Sequence, residues 1–231
     1  MAYLTNLLIN DIISVSLSKK VIFMKQVIKI VAEGKNDFEI IQSLMKKNNG
    51  YITSKEVSKL KIHRMRLNVL EEKRVIEKVS RGIYIDANKI EDKYYVFSLS
   101  MPNTVFSHMT ALYFHGLSIK APTDKYDITV RKTYNSSHLK EHEVFYVPDA
   151  LYDLGLIEVE TPMGNKVRAY DIERCICDII RSHKRVDSEL VKFSIREYLK
   201  RKDKSLAKLS IYAEKMGIKK EVLEFVGAFY E

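Results

Sequence analysis

The sequence of 231 residues is poor in cysteine, and this shortage excludes two classes of protein. Its two cysteines, Cys175 and Cys177, are too few for a disulfide scaffold or a four-cysteine metal site. They stand two residues apart on a predicted helix and so face nearly opposite sides, which suits neither a disulfide nor a shared metal. We therefore expect a packing role for at least one of the thiols, with no metal and no cofactor.

Proline is also scarce, and its placement predicts the fold class. All four prolines lie between residues 102 and 162, and the segments before and after this range have none, as expected for helical segments. Within the middle, residues 126–132 and 143–148 have the patterns of strands. The sequence predicts a mixed α/β protein: an N-terminal winged helix-turn-helix over residues 35–90, and a C-terminal α+β domain ending in helices over residues 91–231.

No apolar run is long enough to span a membrane. Residues 3–17 are apolar, but they contain Asp11, lack a positive segment in front, and fall short of the roughly 20 residues a spanning helix needs. Met24 offers a second start. Residues 1–34 are therefore predicted to be an N-terminal extension, in which residues 1–23 are either an over-extended start or a genuine extra helix. We expect a cytoplasmic protein with no membrane partner.

Positive charge is in excess, with 39 Lys and Arg against 30 Asp and Glu. A net charge of +9 points to a polyanionic partner, either nucleic acid or an anionic membrane surface. Residues 181–220 hold thirteen of the basic residues against five acidic ones. This excess is either a solvated helical face or a surface that lies along a DNA backbone. The candidates for such backbone contacts are Arg196, Lys200, Arg201, Lys202 and Lys204.

Residues 35–87 have the pattern of a helix-turn-helix followed by a hairpin. Apolar residues at helical spacing predict a first helix that ends near Gly50. Thr53 and Glu56 have the spacing of a capping box, which predicts a short second helix. A third helix is predicted over residues 63–72, in the position that enters the major groove of DNA.

The predicted third helix has an apolar side and is followed by a wing. The apolar side consists of Met65, Leu67, Val69 and Leu70. Because no glycine follows the helix, its end is expected to extend. Residues 75–79 and 83–85 predict a hairpin around Gly82, which can take the positive φ that such a turn needs.

Polar and basic residues in this segment are the candidates for contacts with DNA. Basic side chains at a helix start and a wing tip are suited to phosphates. The candidates to reach base edges from the third helix are His63, Arg64, Arg66 and Asn68. The predicted DNA-binding residues are Thr53, Ser54, Lys55, Lys61, His63, Arg64, Arg66, Asn68, Lys78 and Arg81. The alternative is a winged helix that binds protein and has a solvated basic face.

Two histidines, His108 and His115, invite a catalytic interpretation. They are seven residues apart, roughly 10 Å along a helix, which is too far for one metal. Ser107 precedes His108, but no glycine elbow surrounds it, so a nucleophile–base pair is not favoured. We expect a buried helix with satisfied histidines and no catalytic residues.

The order of short motifs resembles the AbiEi family of bacterial antitoxins. The resemblance begins with Gly-Tyr-Ile-Thr at residues 50–53 and Arg-Gly-Ile-Tyr at 81–84. It continues with residues 107–117, which include Ser107-His108 and His115-Gly116-Leu117, and with Tyr-Asp-Ile-Thr-Val at 126–130. It ends with Thr-Pro-Met-Gly at 161–164 and the helix over residues 171–180. Together these motifs cover most of residues 35–220.

The resemblance implies the antitoxin of a type IV toxin–antitoxin system, which provides phage resistance by abortive infection. The winged helix would bind inverted repeats of double-stranded DNA in the protein's own promoter and repress transcription of its operon. The C-terminal domain would antagonise a nucleotidyltransferase-like toxin encoded next door, without a stable complex.

Two rival functions are retained. One is a DNA-binding, metal-dependent nuclease that recruits Asp127, Glu158 and Glu160, with Lys166 beyond them, although no Glu-x-Lys triplet follows Asp127. The other is a winged-helix adaptor that binds the toxin directly.

Overall fold

The structure, a computed structural model, describes residues 36–123 and 125–229. The predicted N-terminal extension, with both alternatives for residues 1–23, lies outside these ranges. The chain divides into two compact units, one that reaches to Glu91 and one that begins at Asp92. Within the described ranges, no helix combines the length and the apolar character needed to cross a membrane.

In residues 36–91, the first unit has three short helices and a three-stranded sheet. Its elements are α1 (Asp37–Lys47), β1 (Tyr51–Thr53), α2 (Ser54–Lys59), α3 (Met65–Glu72), β2 (Ile76–Ser80) and β3 (Ile83–Asp86). The strands are antiparallel in the order β1-β3-β2. Three helices and a hairpin thus follow one another in the predicted order, and strand β1, which was not predicted, lies between the first two helices.

Helix α2 begins with the capping box that the sequence predicts. The Thr53 hydroxyl accepts a hydrogen bond from the Glu56 amide at 3.2 Å, and the Glu56 carboxylate accepts one from the Thr53 amide at 2.8 Å. These bonds satisfy backbone donors that the first turn of a helix leaves open. Val57 is fully buried behind the cap.

Each of the three helices α1, α2 and α3 is followed, two residues after its end, by a residue that has a left-handed conformation and is not glycine. Asn49, Lys61 and Arg74 have φ values of 51°, 60° and 55°. At the end of α3, the Val75 amide donates to the Leu70 carbonyl at 2.9 Å, the bond that closes a Schellman motif. The predicted end of α3 at residue 72 is therefore confirmed, but the predicted start at residue 63 and the expected extension were wrong. The helix begins at Met65, and Arg74 takes the place of the missing glycine.

The small core of the first unit also corrects the predicted apolar side of α3. Leu67 and Leu70 are buried, and Val69 is partly buried. Met65, in contrast, is 61% exposed, because the first residue of the helix lies on the side away from the core. The apolar side is therefore narrower than predicted.

The second unit is a mixed five-stranded sheet with helices. Its elements are α4 (Lys93–Ser100), β4 (Val105–Phe106), α5 (His108–Phe114), β5 (Asp127–Arg131), a 3₁₀ turn (Ser137–Glu141), β6 (Glu143–Val147), α6 (Asp149–Tyr152), β7 (Leu156–Glu160), β8 (Lys166–Tyr170), α7 (Ile172–Arg181), α8 (Ser188–Lys200), α9 (Leu206–Lys215) and α10 (Lys219–Gly227). The strand order is β6-β5-β4-β8-β7. Strand β4 pairs parallel with β8 and antiparallel with β5, and β5 pairs parallel with β6. The predicted α/β composition and the helical C-terminal region are both present.

Helix α7 forms the centre of the second unit. Eight of its ten residues are buried, including both cysteines, which are free thiols. Burial raises the pKa of Cys175 well above its usual value and that of Cys177 to about 12. Both thiols are therefore protonated at neutral pH and serve in packing, as predicted for at least one of them.

The left-handed conformation of Arg74 leads to a prediction about stability. Arg74→Gly should stabilise the first unit by about 1 kcal/mol, since a side chain with a Cβ is strained at positive φ and glycine is not. Asn49→Gly is the matched control and should stabilise less, because asparagine tolerates this conformation. Slower amide hydrogen exchange in β2 and β3 of the Arg74 variant would show the effect. Equal gains from the two substitutions would contradict it.

Candidate nucleic-acid interface

The turn of the hairpin lies against the start of α2. The Ser54 amide donates to the Gly82 carbonyl at 2.8 Å, and Gly82 has the predicted positive φ, 72°. A Cβ at Gly82 would lie 3.3 Å from the Ser54 hydroxyl oxygen. The residues next to this bonded pair, Lys55 and Arg81, therefore lie at one place on the surface.

Thr53 and Ser54 have structural roles at this junction. The Thr53 hydroxyl donates to the Glu56 carboxylate at 2.7 Å and accepts from the Glu56 amide, so both functions of the hydroxyl are used by the cap. Ser54 is half-buried beside Gly82. The predicted contact of Thr53 with DNA would have to come from its backbone or follow a rearrangement of the cap. The Ser54 hydroxyl, in contrast, has no hydrogen-bonding partner among the described residues.

Four predicted phosphate-binding side chains are exposed and unpaired. Among the described residues, no hydrogen-bonding or ion-pairing partner exists for the side chains of Lys55, Lys61, Lys78 and Arg81. Each presents its full charge to solvent. Such cations release counterions from DNA without first having to break an internal bond.

The two predicted base-reading arginines have partners within the unit. The Arg64 Nε donates to the Ser58 hydroxyl at 3.0 Å. The Arg66 Nε donates to the Asp37 carboxylate at 3.0 Å, and its guanidinium lies 5.3 Å from the centre of the Phe38 ring. Arg66 thus links α3 to the start of α1. The sequence offered no signal for this contact, which joins residues 29 positions apart.

His63 and Asn68 are the more available of the predicted base-reading side chains. Both are exposed. The His63 Nδ1 accepts a hydrogen bond from the Met65 amide at 3.3 Å, which leaves Nε2 open, and the side chain of Asn68 has no partner in the described part of the chain. Of the four candidates, these two can reach a base edge at the lowest energetic cost.

The basic residues predicted to lie along a DNA backbone are mostly paired. Arg201 forms two bonds of 2.8 and 2.7 Å with Asp203, and Lys200 lies 2.6 Å from Glu197. The Lys204 ammonium donates to the Arg201 carbonyl, and the Arg196 guanidinium lies 5.7 Å from the Phe229 ring centre. Of these five side chains, Lys202 alone has no partner in residues 36–123 and 125–229.

The two histidines of the second unit are held by hydrogen bonds. His108 is buried, with Nδ1 at 2.9 Å from the Ser107 hydroxyl and Nε2 at 3.2 Å from the Ser182 hydroxyl. Burial holds its pKa well below the usual value, so the ring is neutral. His115 is half-buried and bonds to the Tyr170 carbonyl at 2.8 Å. The expectation of satisfied histidines is confirmed, although Ser107 and His108 do form a hydrogen bond.

The carboxylates of the nuclease alternative are not brought together. Asp127 lies on β5 and Glu158 and Glu160 on β7, which are separated by two intervening strands and hence by about 14 Å. Glu160 faces Lys166 across the β7–β8 hairpin. In the described ranges, no three His, Cys, Asp or Glu side chains are grouped as metal ligands.

Comparisons with known proteins assign no family to this chain. No family model matches the chain, and no curated protein matches it. Among solved structures, the crystal structure of the RV2827C protein from Mycobacterium tuberculosis is similar over 81% of this chain and 79% of that one, at 10% identity and a TM-score of 0.42. A likeness at this level supports no statement about function.

Asp127 is the most perturbed carboxyl group near an open surface. Its Oδ2 accepts a hydrogen bond from the Met109 amide at 2.9 Å, and its backbone amide donates to the Thr110 hydroxyl. Burial raises its pKa from 3.8 to about 6; the bond from Met109 opposes this shift, and the neighbouring charge of Glu143 adds to it.

This shift predicts how stability depends on pH. Because the folded state holds the Asp127 proton more tightly than the unfolded state, the contribution is present below about pH 4 and is lost as pH rises to about 6. Asp127→Asn keeps an oxygen for Met109 and carries no charge. It should be more stable than the parent at pH 7.5 by up to about 3 kcal/mol, with the gain shrinking toward pH 4.

Urea unfolding followed by circular dichroism at several pH values measures this difference. Glu143→Gln is the matched control, since that carboxylate is half-exposed and should give a smaller gain. A variant at Asp127 that is no more stable than the parent at pH 7.5 would contradict the prediction.

Proposed function

We propose that the first unit is a winged helix-turn-helix that binds double-stranded DNA. The observation that carries this proposal is the hydrogen bond between Ser54 and Gly82, which brings the hairpin turn to the start of α2. Unpaired cations flank the bond on both sides, Lys55 on the helix and Arg81 on the turn. A phosphate group placed there would be met from two elements at once.

In this proposal, α3 reads the DNA sequence and the cations hold the backbone. The exposed side of α3 carries Asn68, preceded by His63, and both side chains have donors and acceptors suited to base edges. Arg66, held by Asp37, would keep α3 in position rather than read a base. Affinity would then depend strongly on salt, and sequence preference on a few polar side chains.

We further propose that the protein is a cytoplasmic antitoxin that represses its own operon. The resemblance of its motifs to AbiEi antitoxins supports this step. The operator would contain inverted repeats, and the second unit would antagonise a nucleotidyltransferase-like toxin without forming a stable complex. The nuclease alternative is not favoured, because β4 and β8 lie between its carboxylates.

The unpaired cations predict the salt dependence of DNA binding. Replacing Lys55, Lys61, Lys78 and Arg81 with alanine should weaken binding to the native promoter. The slope of log K against log salt should become less negative by about 3 to 4, since each lost phosphate contact contributes about 0.9. Gel-shift titrations at several salt concentrations measure this slope.

Two further basic residues provide the matched control. Lys46 and Lys47 are exposed at the end of α1, outside the proposed surface, so replacing both with alanine should change the slope by much less. An unchanged slope in the fourfold variant, or an equal change in the control, would reject the proposed surface.

A growth assay tests the antitoxin proposal separately. The toxin encoded by the adjacent gene should inhibit growth when it is expressed alone, and co-expression of this protein should restore growth. The fourfold variant should restore growth equally well when both are expressed from a foreign promoter, because its substitutions leave the second unit untouched. If the unaltered protein does not restore growth, the antitoxin proposal is rejected. Stable co-purification with the toxin would favour the adaptor alternative instead.

A further inference from the structure

The second unit contains an open cleft of about 450 Å³ that the proposed DNA-binding function does not use. Its walls come from the start of α5, the loop before β5, the first residues of β5 and β6, and the segment that joins α7 to α8. This volume is in the range of sites for small molecules and cofactors. The cleft is therefore large enough for one nucleotide.

The deepest charged group in the cleft is the carboxylate of Asp127. Its Oδ2 accepts from the Met109 amide, while Oδ1 has no hydrogen-bonding partner among the described residues. With a pKa of about 6, the group is mainly ionised at pH 7.5. An ionised, partly desolvated carboxylate binds strongly to a ligand that supplies N–H donors.

The rim of the cleft carries three basic side chains, Lys120, Lys125 and Arg185, beside the acidic Glu143 and Asp187. Lys120 and Lys125 are exposed, and their ammonium groups have no partner in the described ranges. Arg185 lies 4.3 Å from the centre of the Phe145 ring, and its ion pair with Glu143 is long, at 3.4 Å. Because the His108 ring stacks on Phe145 at 3.4 Å, the guanidinium must occupy the opposite face of that ring. Arg185 is also held by long hydrogen bonds from Nη1 and Nη2 to the Val144 carbonyl, at 3.5 and 3.4 Å, so a phosphate would compete with these bonds for its N–H groups.

This charge arrangement selects against a simple cation or a simple anion. A cationic ligand would be attracted by Asp127 but repelled by the lysines of the rim, and an anion would meet the opposite problem. A ligand with donors at one end and negative charge at the other satisfies both. Pro122, Val186 and Leu190 add apolar surface to the lining of the cleft, against which a flat ring can pack.

We propose that this cleft binds a guanine nucleotide, with the base donating to Asp127 and the phosphate at the rim formed by Lys120, Lys125 and Arg185. Guanine presents two adjacent donors, N1–H and the 2-amino group, which match the acceptor-only oxygens of a carboxylate. Adenine presents an acceptor beside its amino group, so it would place a lone pair against the same carboxylate. This site belongs to the second unit and does not depend on the proposed DNA binding.

Calorimetric titration of the full-length protein at pH 7.5 tests the base. Guanosine monophosphate should bind at least about tenfold more tightly than adenosine monophosphate. Asp127→Asn should reverse the preference toward xanthosine monophosphate, because the amide nitrogen can donate to the 2-carbonyl of xanthine where the carboxylate accepts from the 2-amino group of guanine. A gain of xanthine binding also shows that the variant is folded.

A second pair of variants tests the phosphate. Replacing Lys120 and Lys125 with alanine should weaken binding of guanosine monophosphate at least about tenfold and leave binding of guanosine, which has no phosphate, unchanged. Lys132 and Lys140, exposed lysines that do not line the cleft, are the matched control and should change neither. Absence of saturable binding up to about 1 mM nucleotide, or a guanine preference that survives Asp127→Asn, would overturn the proposal.

Discussion

The second unit depends on the compensation of one buried charge, the guanidinium of Arg174. This side chain is fully buried, and its Nε donates to both oxygens of Asp178 at 3.0 and 3.1 Å. Its Nη1 donates to the carbonyls of Leu151 and Leu154, just before β7. Since an uncompensated buried charge costs several kcal/mol, these bonds fix α7 against the segment that enters the sheet. Gly155 completes the arrangement, because a Cβ there would lie 2.7 Å from the Arg174 Cβ.

Basic side chains of the C-terminal helices are also compensated by nearby acidic groups. This changes which part of the chain the net charge of +9 indicates as a DNA-binding surface. Lys208 of α9 pairs with Asp171 and Glu173 at 3.1 Å each, and Arg201 is held by Asp203. Much of the positive charge in residues 181–220 is therefore paired, and Lys208 joins α9 to the start of α7. Residues 36–91 hold twelve basic residues against eight acidic ones, a smaller excess than in residues 181–220, but several of the basic side chains are unpaired. A count of charges favours the C-terminal helices as a DNA-binding surface, whereas a count of available charges favours the first unit.

How far the sequence predicts this structure depends on the separation of the interacting residues. The cap of Thr53 and Glu56 and the turn at Gly82 were predictable, because the signal and its effect lie within a few residues. The bond of Arg66 to Asp37 and the placement of Asp127 beside the start of α5 depend on chain segments brought together by folding. The cleft belongs to this second class, since its walls come from segments spread over residues 109–190. No local pattern indicates it.

Positions at which another residue would be more stable are informative about function, because natural sequences usually keep a less stable residue where binding or catalysis requires it. Lys61 and Arg74 occupy left-handed positions at which glycine would be less strained, and both add exposed positive charge to the first unit. Asp127 occupies a site where an uncharged residue would be more stable at neutral pH, and it faces the cleft. The two kinds of departure lie in different units and involve opposite charges. Binding of DNA phosphates would favour the basic residues Lys61 and Arg74, and binding of a ligand with N–H donors would favour Asp127. A single polyanionic partner therefore does not account for both.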